Sequence, residues 1–190
     1  MKKIICLFML ILSSLFLNIN FSNASENVKN YVIELSEKFA KVNKIENKEE
    51  KYDESYKLAR EYLDVDWMGN FILGKHRKTL EKSEVKNFVE VFSKYLINNY
   101  LETLSYFSKE NLTFKETKEI EENTYLALIE LNMDGKLVKI DLRVFKNKNG
   151  KYMIRDILPE GISFLNTQRT EVDNIITTKG YNKLMEEIKK

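Results

Sequence analysis

The stretch TYLALIELNMDGKLVKIDLRVF, residues 124–145, decides the fold. Tyr125, Ala127, Ile129, Leu131 and Met133 fall at every second position, as do Val138, Ile140, Leu142 and Val144, with Lys139, Asp141 and Arg143 between the latter. A period of two belongs to a strand, because successive side chains leave the pleated backbone on opposite faces. Asp134-Gly135 between the runs is a tight-turn pair. The two runs therefore predict an antiparallel hairpin with one apolar face.

Working outward, Asn111 to Thr117 reads as a weaker preceding strand. On the other side Asn147 to Gly150 supplies a second turn, and Lys151 to Leu158 a last strand closed by Pro159, whose missing amide costs least at a strand end. The expectation is a meander of about four antiparallel strands, one face covered by helices and the other partly wet.

The covering helices announce themselves by a change of period. Val28, Tyr31, Val32, Leu35, Phe39 and Val42 recur at three and four, an amphipathic stripe extending to about Lys44. A second helix is expected from about Glu50 to Leu63, then a short apolar one from Asp66 in which Gly69 permits close approach of a neighbour. The strongest, from about Lys82 to Phe107, carries more apolar residues than one stripe holds and is expected to touch both the sheet and other helices. After Glu160-Gly161 the chain turns helical again, and Lys179-Gly180 sets off a short terminal helix from Tyr181. Helices, meander, helices make an α+β domain, mainly helical and packed on a roughly four-stranded antiparallel or mixed sheet.

The first 24 residues read differently. Lys2 and Lys3 precede an apolar run from Ile4 to Leu17 that has the size of a signal-peptide core and is short for a membrane span, and Ser22-Asn23-Ala24 puts small residues at the positions a signal peptidase reads. Cleavage is expected after Ala24, leaving residues 25–190 as one domain in an extracytoplasmic compartment. Lys2 and Lys3 leave with the leader, so the remaining Lys and Arg of the chain's 31 balance its 29 Asp and Glu. The neutral balance gives no electrostatic reason to expect nucleic acid. Cys6, the single cysteine, leaves as well, so packing alone must hold the mature domain.

The chemistry on offer is narrow. One histidine, His76, and no cysteine in residues 25–190 exclude Cys-His catalysis and zinc sites built from His or Cys clusters. No G-x-S-x-G elbow accompanies His76, and the six glycines are scattered rather than gathered in a phosphate loop. The reading is of a protein that is not an enzyme and carries no cofactor or metal. Large apolar side chains are abundant: Trp67, Phe71, Phe88, Phe92, Tyr95, Tyr100, Tyr106 and Phe107 lie within a short span. They suit an ordinary core and equally a cavity for an apolar ligand. The basic run Lys75-His76-Arg77-Lys78 suits either the solvated C-terminal end of a helix or a surface for an acidic partner or lipid head group.

Several segments together resemble the MlaC family, the periplasmic phospholipid-binding components of the Mla transport system, also described as toluene-tolerance auxiliary components. VDWMGNFILGKHRKT, residues 65–79, is similar to a family segment in Met68 and Leu73-Gly74, with His76 and Arg77 where an aromatic pair is usual. Phe88, Phe92, Leu96 and Tyr100 match an F-x-x-x-F-x-x-x-L-x-x-x-Y helix, and RDILPEGIS, residues 155–163, matches an aspartate followed by E-G-[VI]-S before a helix. Asn166 to Arg169 keeps the family's arginine with Gln168 in place of a common tyrosine, and Gly180 to Leu184 its terminal G-x-x-x-L.

The resemblance implies an apolar pocket for lipid between helices and sheet. It also implies a non-enzymatic shuttle of phospholipid cargo, supporting outer-membrane lipid asymmetry, between an inner-membrane ABC transporter with an MCE-domain component and an outer-membrane lipoprotein–porin complex. On this footing Phe71, Phe88, Phe92, Tyr95, Leu96, Leu131, Leu142 and Phe164 are the expected tail-pocket residues, and Lys75, Arg77, Lys78 and Arg169 the expected partner contacts. The alternative is a lipid-free periplasmic adaptor or structural protein. It predicts a filled core where a carrier predicts a cavity reaching the surface.

Overall fold

The structure, a computed structural model, describes residues 23–189. Residues 1–22, most of the expected signal peptide, lie outside the described residues; Asn23 and Ala24 open the first helix. That helix, α1, covers residues 23–42 and buries Val28, Val32, Leu35, Phe39 and Val42 along one stripe. Helix α2 (Lys48–Tyr62) starts at Asn47, whose side chain accepts the Glu50 amide at 3.0 Å and satisfies one of the free N–H groups of the first turn. Helix α3 (Val65–Leu73) passes at Gly74 into a 3-10 turn, Gly74–Lys78, followed by α4 (Lys82–Leu104).

The meander comprises β1 (Leu112–Glu121), β2 (Thr124–Met133), β3 (Lys136–Lys146) and β4 (Tyr152–Pro159), in the spatial order β1-β2-β3-β4 with every pair antiparallel. The expected alternation holds: Tyr125, Ala127, Ile129, Leu131, Ile140, Leu142 and Val144 are buried on one face. Asp134 and Gly135 both take positive φ, the conformation a two-residue hairpin turn demands. Strand β1 runs further than its sequence suggests, to Glu121, because ladder pairing with β2 carries a charged edge whose alternation is broken by register shifts at Phe114/Glu116 and Glu119/Glu121. Bulges and charges of this kind protect an edge from further pairing.

Helices α5 (Phe164–Lys179) and α6 (Tyr181–Glu187) complete the domain. Two apolar clusters result. The first joins α1, Tyr62 and the inner face of the sheet; the second joins α3, the front of α4, α5 and α6 around Met68, Ile72, Phe88, Phe92, Leu165 and Leu184. Gly69 is small for a reason visible here, since a β-carbon at that position would lie 2.7 Å from Cγ2 of Val89 on α4. One tie between the sheet and the second cluster runs through the residue before α3. Asp64 N–H donates to Ile154 O at 2.9 Å, and the Arg155 guanidinium donates to Asp64 at 2.8 Å while lying against Phe145 and Trp67.

Candidate functional site

Between the sheet's inner face and the helices lies a cavity of about 200 Å³. Its wall is built from Leu35 and Phe39 of α1, Leu58, Ala59 and Tyr62 of α2, Leu96, Ile97, Tyr100 and Leu104 of α4, and Leu131, Ile140, Leu142 and Ile154 of the sheet, with Phe164 at the start of α5. None of its lining residues is charged. Tyr62 turns its ring inward and donates its hydroxyl to Glu34 at 2.7 Å, which holds the Glu34 carboxyl below the usual carboxylate range. The wall thus offers dispersion and exclusion of water, and no group for bond-making chemistry. Among the described residues no group of three or more His, Cys, Asp or Glu could hold a metal ion.

Exposure marks the mouth. Tyr100, Thr103 and Pro159 line the cavity and are also exposed, so it reaches the surface between the C-terminal part of α4 and the junction of β4 with α5. That junction is held by one buried carboxylate. Asp156 is 1 % exposed; its Oδ1 accepts the amides of Ile157 and Leu165 at 3.0 and 3.1 Å, and its Oδ2 accepts the Ser163 hydroxyl at 2.6 Å. Ser163 Oγ in turn accepts the Asn166 amide at 3.1 Å and caps α5. The turn between is locked to β3, where Glu160 accepts the Lys139 amide and donates its own to Lys139 O. The motif RDILPEGIS is therefore a hydrogen-bonded corner that sets Phe164 against the cavity.

The expected tail-pocket residues divide. Leu96, Leu131, Leu142 and Phe164 line the cavity. Phe71, Phe88, Phe92 and Tyr95 stand apart from it, in or against the second cluster, with Phe88–Phe92 and Phe92–Tyr95 rings stacked at 5.4 and 5.9 Å. Along α4 the surroundings change: Phe88 and Phe92 in its front half pack in the second cluster, while Leu96, Ile97, Tyr100 and Leu104 further along line the cavity. Ile140 and Ile154, which sequence reasoning left out, share the alternating inner face with Leu131 and Leu142, and Leu35 and Phe39 lie on the readable stripe of α1. Tyr100 closes the F-x-x-x-F-x-x-x-L-x-x-x-Y pattern, whereas Ala59 and Ile97 carried no distinguishing signal.

The expected partner contacts gather where the 3-10 turn meets α5. Lys75 pairs with Asp173 of α5 at 2.8 Å, and His76 Nε2 meets the same oxygen at 2.7 Å, contacts that together lower the Asp173 pKa. Arg169 lies over the Phe71 ring at 5.0 Å and fills the notch left by Gly74, where a β-carbon would come within 2.9 Å of its Nε. Arg77 and Lys78 are exposed on the same turn. Asp173 is nine residues along α5 from Phe164, about 13.5 Å at the rise of an α-helix.

A family model described as MlaC protein matches residues 29–190. The intermembrane phospholipid transport system binding protein MlaC of Haemophilus influenzae is 21% identical over 128 residues, 65% of this chain and 60% of that relative, so the match spans less than two thirds of the relative's length. Among solved structures, a phospholipid-binding protein from Ralstonia solanacearum, determined in complex with a phospholipid, superposes with a TM-score of 0.69 at 17% identity, covering 85% of this chain and 92% of that one. At that identity the likeness shows the fold.

Proposed function

We propose, from the premise that this chain belongs to the MlaC family, that it is a periplasmic phospholipid carrier, exported by its leader and cleaved after Ala24. The observation that carries the reading is the cavity: a wall without a charged residue, open to the surface at one end, beneath the inner face of the sheet. Each methylene withdrawn from water is worth roughly 0.8 kcal/mol, so an acyl tail of about sixteen carbons costs on the order of 10 kcal/mol to expose in transit. A carrier must cover the tails and can leave the head group wet.

In this reading the protein moves phospholipid between an inner-membrane MCE-domain ABC transporter and an outer-membrane lipoprotein–porin complex and so supports outer-membrane asymmetry. The tails are held by Leu96, Leu131, Leu142 and Phe164 with their neighbours in the wall. Lys75, Arg77, Lys78 and Arg169 form a basic face for the membrane partners, with Arg77 and Lys78 the most available. The test is to purify the exported protein from a bacterial periplasm without detergent and weigh it by native mass spectrometry, followed by lipid extraction. A stoichiometric, heterogeneous phospholipid mass is expected. A protein that is empty, and that stays empty after incubation with phospholipid vesicles, would overturn the carrier reading in favour of an adaptor.

A further inference from the structure

We propose that Tyr100 and Phe164 form a gate across the cavity mouth and that parting them limits the rate at which an acyl chain enters or leaves; this rests on the carrier reading above. The two rings meet edge to face, centroids 5.5 Å apart at 87°, one from α4 and the other from the first turn of α5. Both line the cavity, and Tyr100 is 41 % exposed, which places the pair where the cavity meets solvent.

The two halves of the gate are held differently. Phe164 sits between Ser163 and Leu165, both bonded to the buried Asp156 carboxylate, so its backbone is anchored from either side. Tyr100 sits near the end of α4 and gains its place over the mouth from side-chain contact. Phe164 is therefore the fixed jamb and Tyr100 the leaf. Cavity size gives the pair something to do: at about 200 Å³ the space is below the roughly 300–1,000 Å³ of ordinary ligand pockets, so admitting phospholipid tails requires the walls to separate. A contact that bridges two separating walls at the mouth must break on the way.

The test uses full-length chain exported to the periplasm, purified, loaded with phosphatidylglycerol bearing a pyrene-labelled acyl chain, and mixed with phosphatidylcholine vesicles while pyrene release is followed. Tyr100→Ala and Phe164→Ala are each expected to speed release about three- to tenfold, the range an aromatic pair supplies. Tyr100→Phe keeps the ring and is expected to match wild type. The double alanine variant is expected to be no faster than the faster single, because one contact is broken in all three. Circular dichroism checks that each variant is folded; Tyr100, already partly in water, leaves no buried hole when truncated. Unchanged release in both alanine variants, effects that multiply in the double variant, or a Tyr100→Phe variant as fast as Tyr100→Ala would each overturn the gate while leaving the carrier reading in place. A wild-type protein that takes up no pyrene lipid would overturn both.

Discussion

Filling the cavity from its helical wall separates a binding space from a packed core by the sign of a stability change. Ala59 of α2 is 6 % exposed and lines the cavity, so Ala59→Leu sends three more carbons into it without altering the helix, for which Ala and Leu are both good formers. At roughly 0.8 kcal/mol per methylene the added carbons gain about 2.4 kcal/mol. Rotamer freedom lost by the leucine returns about 0.5–1 kcal/mol of that. The net is a stabilisation of about 1.5 kcal/mol, or a rise in Tm of about 3–6 °C for a chain of this size. Both proteins must be stripped of lipid before the thermal scan, because a bound ligand stabilises by mass action and would mask the difference. The same variant purified from the periplasm is expected to carry less phospholipid than wild type. Where there is no room, an inserted side chain instead costs about 1–3 kcal/mol through strain. A lipid-free Ala59→Leu variant that melts below wild type, with its lipid content unchanged, would show that the space does not accept side chains and that the wall is misassigned.

Other perturbations address the corner, the outer face of the sheet and the basic turn. Asp156→Ala leaves the Ile157 and Leu165 amides and the Ser163 hydroxyl without their acceptor and is expected to destabilise by about 2–3 kcal/mol in chemical denaturation, with Asp156→Asn milder; equal effects of the two would argue against the hydrogen-bonded corner. Burial raises the pKa of Asp141, with Lys118 opposing, so its ionisation costs folding free energy and this contribution to stability falls as pH rises through the carboxylate range. Asp141→Asn is accordingly expected to raise Tm at pH 7, by an increment that shrinks as both proteins are acidified below the ordinary aspartate pKa; a pH-independent increment would exclude the titration as its source. Arg77→Glu combined with Lys78→Glu, both on the exposed 3-10 turn, is expected to slow lipid transfer to membranes containing the partner complexes while lipid content stays normal, and unimpaired transfer would remove this turn from the partner surface.

The element order and the buried face of the sheet were legible because both are local properties of the chain. A strand repeats every two residues and a helix about every 3.6, so Tyr125 to Leu131 and Val28 to Val42 each show which side is buried without reference to any other segment. The tight turn at Asp134-Gly135 and the close approach at Gly69 were legible for the same reason, since a positive φ or a missing side chain limits what a residue can do wherever it lies. Asp156 was visible as a motif, while its work, joining a strand end to a helix start seven and nine residues later, appears only when Ser163 and Leu165 fold back onto it.

The division between core and cavity was not local. Phe88, Phe92, Leu96 and Tyr100 follow one another at a constant spacing of four, and nothing in that spacing distinguishes the first two, sealed among α3, α5 and α6, from the last two at the cavity wall. An apolar side chain gains from leaving water whether it meets another side chain or an open apolar space, so the same composition satisfies both. Which of the two it meets depends on how far the sheet stands from the rear half of α4, a distance set by every contact in the domain at once.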